Sequence, residues 1–225
     1  SVNRITTNYF VLDKGYTSKL AIEEERYGKI GALELFLEKE TSQAGTFETL
    51  AYIHRKLFSK VYAHAGKMRE INIAKGNFRF APILFLNASI EAIESMPQSS
   101  FDEILEKYVE MNIAHPFREG NGRACRIWLD HMLKKELGFV IDWSQVDKER
   151  YLSAMEQSPI CDLEIKRVLT SALSDQIQDR ILYMKGIDRS FYFEGFDHFS
   201  TMDLDKLEQK SDLYLKKIDP SDRSF

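Results

Sequence analysis

The feature that most constrains this fold is how rarely the 225-residue chain interrupts a helix: it holds five prolines and eleven glycines. Long helix-periodic stretches run between them. Residues 21–40 carry Ile30, Leu33 and Leu37 at i, i+3 and i+7, with Phe36 beside them and an acidic run, Glu23 to Glu25, at the start. Gly28 and Gly31 weaken the helical reading of its first half. Residues 46–61 place Phe47, Leu50, Ile53, Leu57 and Phe58 at helical spacing. Ser100 and Glu103 form a capping box for a helix with Ile104, Leu105, Tyr108, Val109 and Ile113 on its apolar face. Pro116 ends it. A further helix is expected from about 122 to 137, closed by Gly138, with Lys134 and Lys135 in its last turn. Asp147 and Asp162 are candidate caps for two more, the second carrying Ile165, Val168, Leu169, Ala172 and Leu173. A short helix is expected over 188–194, stopped by Gly195.

One stretch breaks this pattern. Residues 70–73 alternate polar and apolar, residues 78–80 do so again, and 74–77 contain Gly76. That predicts a short β-hairpin, which must lie against a helical body because two strands alone are marginal. The expected fold class is therefore mainly α, a helical bundle with a short β-hairpin flap.

Composition excludes several functions. A hydrophobic fraction of 44% and a charged fraction of 29% suit a packed chain, not a disordered one. No apolar run reaches the ~18 residues of a membrane span, and the first five residues lack a signal-peptide core. A net charge of −4 argues against direct nucleic-acid binding. Cys125 and Cys161 make neither a disulfide framework nor a zinc site. A cytoplasmic protein without a membrane partner is expected.

The chemistry concentrates in residues 115–126, HPFREGNGRACR. Gly120 and Gly122 flank Asn121 where a helix begins, and glycine lets a ligand approach the backbone. The unpaired amides of the first turn and the helix dipole favour an anion there. Arg123 and Arg126, three apart, share a helix face and suit phosphate. Glu119 is placed to hold a magnesium ion bridging phosphates. His115 is a general-base candidate. Each feature alone has a plainer reading: a packed histidine, a solvated arginine pair, a turn. Together they point to phosphoryl or nucleotidyl transfer.

This string resembles the signature of Fic domains, HxFx(D/E)GNGRxxR, at every specified position. Residues 65–69 with 75–80 resemble that family's flap, and 151–155 its following helix, so the likeness covers roughly 46–196. The resemblance implies a Fic core over 46–185, preceded by a helical extension, 1–45. It implies AMP transfer from ATP to a protein hydroxyl, with pyrophosphate released. His115 would deprotonate the target, and Glu119 would hold Mg2+. Asn121 and the amides of Gly120 and Gly122 would cradle the phosphates. Arg123 would contact the β-phosphate side and Arg126 the γ-phosphate, while Phe117 anchors the loop. Lys75, Gly76, Asn77, Phe78 and Phe80 would dock a target strand. Tyr151 reads either as a nucleobase contact or as a packed helix residue.

Ser190 and Glu194 are i, i+4 and precede Gly195. This resembles the family's inhibitory motif, (S/T)xxxE(G/N), placed C-terminally over 186–199 as in its small bacterial branch, class III. Glu194 would pair with Arg126 and misplace ATP. Tyr192, with a hydroxyl expected close to the site, is a candidate for self-modification. The tail, 200–225, is polar, with Leu204, Leu207 and Leu213 hinting at a helix. The leading expectation is an autoinhibited protein adenylyltransferase. The alternatives are removal of AMP by a deAMPylase using Glu194, or a non-catalytic, toxin-like interaction module. Expected partners are a target protein, such as a type II topoisomerase subunit like DNA gyrase B, and further copies of the chain in a homo-oligomer.

Overall fold

A computed structural model describes residues 14–38, 42–75 and 78–218. Among them are nine α-helices: α1 (Lys14–Leu37), α2 (Phe47–Phe58), α3 (Ile83–Glu94), α4 (Phe101–Ala114), α5 (Asn121–Leu137), α6 (Lys148–Gln157), α7 (Leu163–Thr170), α8 (Arg180–Phe193) and α9 (Thr201–Ile218). Two small antiparallel pairs join them: β1 (Ala74–Lys75) with β2 (Phe78–Arg79), and β3 (Val140–Ile141) with β4 (Leu173–Ser174). The mainly helical expectation holds. No helix among the described residues is long and apolar enough to cross a membrane. Both cysteines are free, Cys125 buried and Cys161 exposed.

The centre is built on α5, whose Trp128, Leu129, Met132 and Leu133 are fully buried among Ile104, Leu105 and Tyr108 of α4 and Leu50 and Leu57 of α2. Burying each such side chain contributes ~1.5–3 kcal/mol. The local signals act as expected. Ser100 and Glu103 complete the capping box, Thr46 caps α2, and Gly138 closes α5 with φ of 71°.

Gly28 and Gly31 do not break α1; they let it pack closely. A Cβ on Gly31 would collide with the Lys56 carbonyl of α2, and one on Gly28 would press the Phe191 ring of α8. Overpacking costs ~1–3 kcal/mol. Gly31→Ala should therefore lower unfolding stability by that amount, read from the urea midpoint, although alanine is the better helix former. An unchanged or raised midpoint would contradict this packing account.

Four expectations need correction. The hairpin is shifted: residues 70–73 are not strand, and Ala74 and Lys75, read as turn, form β1. Arg69 causes the shift by drawing the Ile71 and Ala81 carbonyls to its guanidinium. Gly76 and Asn77 lie outside the described residues. Helix α7 stops at Thr170, because Leu173 pairs with Ile141 in a sheet. Helix α8 begins at Arg180, where Asp179 caps it, so the division at 186 falls inside one continuous helix. Helix α3 was not foreseen: it follows Pro82 and has no side-chain cap. Its first apolar residues, Ile83 to Phe85, are consecutive and exposed rather than spaced along one face.

Candidate active site

The site is the loop between α4 and α5 with what leans on it. His115 ends α4 in the left-handed region, φ 52°, the sole non-glycine with positive φ among the described residues. That geometry turns the chain back over the helix end. The Asn112 backbone beside the His115 imidazole favours its charged form. Burial, then the Arg69 and Lys75 charges, hold its pKa down to about 3. The ring is thus neutral at physiological pH and able to accept a proton.

Phe117 is fully buried and stacks on His54 of α2, 3.9 Å between ring centres. Asn121 staples the loop: its Oδ1 accepts from the Phe117 amide at 2.9 Å, and its Nδ2 donates to the Phe117 carbonyl at 2.8 Å. Both polar ends of the Asn121 side chain are spent on the loop, and the residue is buried. Gly120 has φ 78° and leaves no room for a Cβ against Phe58. Its amide donates to Glu119 Oε1 at 3.1 Å.

His54 was missed by the motif reading. Its Nε2 lies 2.7 Å from the Glu119 carbonyl, and its Nδ1 accepts from the Gly66 amide at 2.8 Å. Burial lowers its pKa to about 4, so it is a neutral strut. Its only signal was a histidine on the apolar stripe of α2.

The two arginines are both occupied by carboxylates. Arg126 donates through Nε to Ser190 Oγ at 2.7 Å, and through Nη2 to the Ser190 carbonyl and to Glu194 Oε1, each at 2.9 Å. Burial alone would raise the pKa of Glu194, but Arg126 and Arg123 hold it below the usual carboxylate range. Glu194 Oε1 overhangs Gly122: a Cβ there would lie 2.5 Å from it. Ser190 and Glu194 thus both reach α5, and Gly195 follows them with φ 88°.

Arg123 differs from expectation. Its guanidinium is buried beneath Phe58, Phe191 and Phe196, at 4.8, 5.2 and 4.5 Å from the ring centres. Its Nη2 donates to Glu24 of α1 at 2.5 Å and to Glu119 at 3.3 Å. Tyr62 donates to the other Glu24 oxygen at 2.6 Å. In this state Arg123 steadies Glu119 instead of opening to a phosphate. Burial raises the pKa of Glu119, against the pull of Arg123. Glu24 was also missed; it lies 99 residues from Arg123 in sequence.

Other expected residues fall nearby. Lys75 and Phe78 sit on the hairpin, and Phe80 follows β2 with its ring stacked on His115. Tyr151 is buried under Arg126, its hydroxyl 2.6 Å from that of Tyr108 and its ring stacked on Phe193 of α8. It packs in the core here. Tyr192 is not close to the site. It lies half a turn from Ser190 and Glu194, exposed between Lys148 and Arg189, at 4.5 and 5.1 Å.

Among the described residues no cluster of three or more His, Cys, Asp or Glu could hold a metal. The donor set still fits magnesium, which takes one or two protein carboxylates and completes its shell with phosphates and water. Glu119, partly exposed beside the helix N-terminus, would be the carboxylate to hold it.

Comparison with known proteins agrees with this geometry. The Fic/DOC family profile matches residues 45–133. The chain is 30% identical over 207 residues to the protein adenylyltransferase VbhT of Bartonella schoenbuchensis, covering 80% of this chain but only 42% of that protein. It is 32% identical over 134 residues to the probable protein adenylyltransferase y4lH of Sinorhizobium fredii, 52% of this chain and 69% of the relative. Its fold matches BepC of Bartonella tribocorum, a structure with bound AMPPNP, with a TM-score of 0.61 at 20% identity, over 77% of this chain and 95% of that one. Motif, loop geometry and relatives agree: this chain belongs to the Fic/DOC family.

Proposed function

We propose that this protein transfers AMP from ATP to a hydroxyl of a target protein, and that α8 inhibits it. The observation that carries the reading is the α5 N-terminus, where the Gly122 backbone, Arg126 and Glu119 would make a phosphate cradle next to a neutral His115. The first-turn amides of α5 and Arg126 bind the phosphates of ATP and turn the α-phosphorus toward His115. Mg2+, held by Glu119, supplies neutralisation of the phosphate charge when bound. The His115 imidazole takes the proton of the target hydroxyl. The hydroxyl oxygen bonds to the α-phosphorus as the bond to the bridging oxygen breaks, and pyrophosphate leaves.

Inhibition follows from occupancy. Arg126 cannot give full charge to a γ-phosphate while Glu194 and Ser190 hold it. The Glu194 carboxylate also stands where an anion would enter over Gly122. Removal of AMP is a second reading of the same observation, because an ionised Glu194 in the cradle could activate water there. Incubating an AMP-modified target with Mg2+ and no ATP separates the two. Further copies of the chain would steady α8 in a homo-oligomer, and specific activity would then fall with protein concentration.

Lysate incubated with the Glu194→Gly protein and ATP labelled at the α-phosphate should show labelled protein, with a type II topoisomerase subunit, DNA gyrase B, the first candidate to probe. Glu119→Ala in that background should lose transfer by about 100-fold and lose its response to added Mg2+. Retention of both would remove Glu119 as the metal carboxylate.

A further inference from the structure

The hairpin and the candidate base are built as one piece. The Phe80 ring lies flat on the His115 imidazole, 3.7 Å between centres and 15° from parallel. Phe78 of β2 meets Phe80 edge-on at 5.0 Å. Beneath them Arg69 is buried, and its guanidinium is spent on carbonyls. Nε donates to the His115 carbonyl at 2.7 Å, Nη1 to Ile71 at 2.7 Å, and Nη2 to Ala114 at 3.1 Å and to Ala81. The Arg69 amide donates to the Pro116 carbonyl at 2.8 Å, and the Ala81 amide to Ile113 at 3.2 Å. Both stems of the hairpin are thereby bonded to the end of α4, at the residue whose left-handed backbone aims the imidazole.

We propose that Phe80 and Arg69 are positioning residues that couple the hairpin to His115, so that a target strand docked on the hairpin also sets the base. This deepens the adenylyltransferase reading and rests on it. Phe80 covers one face of the imidazole, so the target hydroxyl must approach past the other face or the ring edge. A strand that displaced Phe80 would dock without reacting. The charged groups facing the ring are Arg69 behind it, Lys75 of β1, and Glu194 of α8. Phe80 adds to these by excluding water.

The test uses Phe80→Leu and Phe80→Tyr in the Glu194→Gly protein. Phe80→Leu should cut kcat for AMP transfer by about tenfold or more, with nucleotide affinity unchanged. Its acid limb should move up in pH as water reaches the imidazole, and the His115 titration followed by NMR should rise with it. Phe80→Tyr, which keeps the stack, should restore the rate and the low titration. If Phe80→Leu does not fold, Phe80→Met carries the same expectation. A Phe80→Leu protein with parental kcat and an unmoved His115 titration overturns the proposal. If the Glu194→Gly parent itself transfers no AMP, the function reading fails instead, and the titration still decides whether Phe80 shields His115.

Discussion

Glu194→Gly is expected to raise AMP transfer by roughly 10- to 100-fold. The carboxylate holds Arg126 at 2.9 Å and overhangs Gly122. Its removal frees the guanidinium and the space above the α5 amides together. A misplacement of ~1 Å at the reacting phosphorus can cost ~100-fold, so restoring the γ-phosphate contact is worth about that much. The variant should stay folded, because Arg126 keeps the Ser190 hydroxyl and carbonyl as partners. Acid is a poor substitute for the mutation. Glu194 has a depressed pKa, so its pair with Arg126 is fully formed above the ordinary carboxylate range and is lost only as pH falls through that depressed value. Mild acidification should leave the protein inhibited. Label incorporation at matched protein concentration reads the effect, and an unchanged rate would end the account of α8 as a brake.

His115→Ala in the same background should return transfer to the blank. General-base catalysis contributes ~100- to 10,000-fold, and no other imidazole lines the loop in a position to replace it. His54 packs against the same loop, yet both its ring nitrogens are committed to the Glu119 carbonyl and the Gly66 amide. Nucleotide affinity should not change, because His115 contacts none of the cradle. Loss of affinity together with rate would mean that the substitution collapsed the left-handed turn at the end of α4, and transfer that persists would mean that another group takes the proton.

Much of the site could be read from local sequence because its parts lie within one turn and one helix. The spacing of Gly120, Gly122, Arg126 and Glu119 predicts a cradle at a helix start, and α5 begins at Asn121. The i, i+4 spacing of Ser190 and Glu194 predicts a shared face, and both touch Arg126. What escaped depends on distant partners. Glu24 reads as one of three consecutive surface acids, yet the fold buries it on Arg123. Arg69 reads as an ordinary basic residue, and only the meeting of hairpin stems with α4 gives it four carbonyls. Asn121 sits inside the motif, but a motif carries no direction for a side chain, and this one turns back to the loop. The β3–β4 pair escaped because two-residue strands 30-odd positions apart leave no periodic pattern.

The most direct measurement places the label. The Glu194→Gly protein, Mg2+ and lysate are incubated with ATP carrying label on either the α- or the γ-phosphate, with Glu194→Gly/His115→Ala as control. The account predicts that α-label stays on a protein after denaturation, that γ-label does not, and that the control incorporates neither. Incorporation of the γ-label, or α-label that persists without His115, would contradict it.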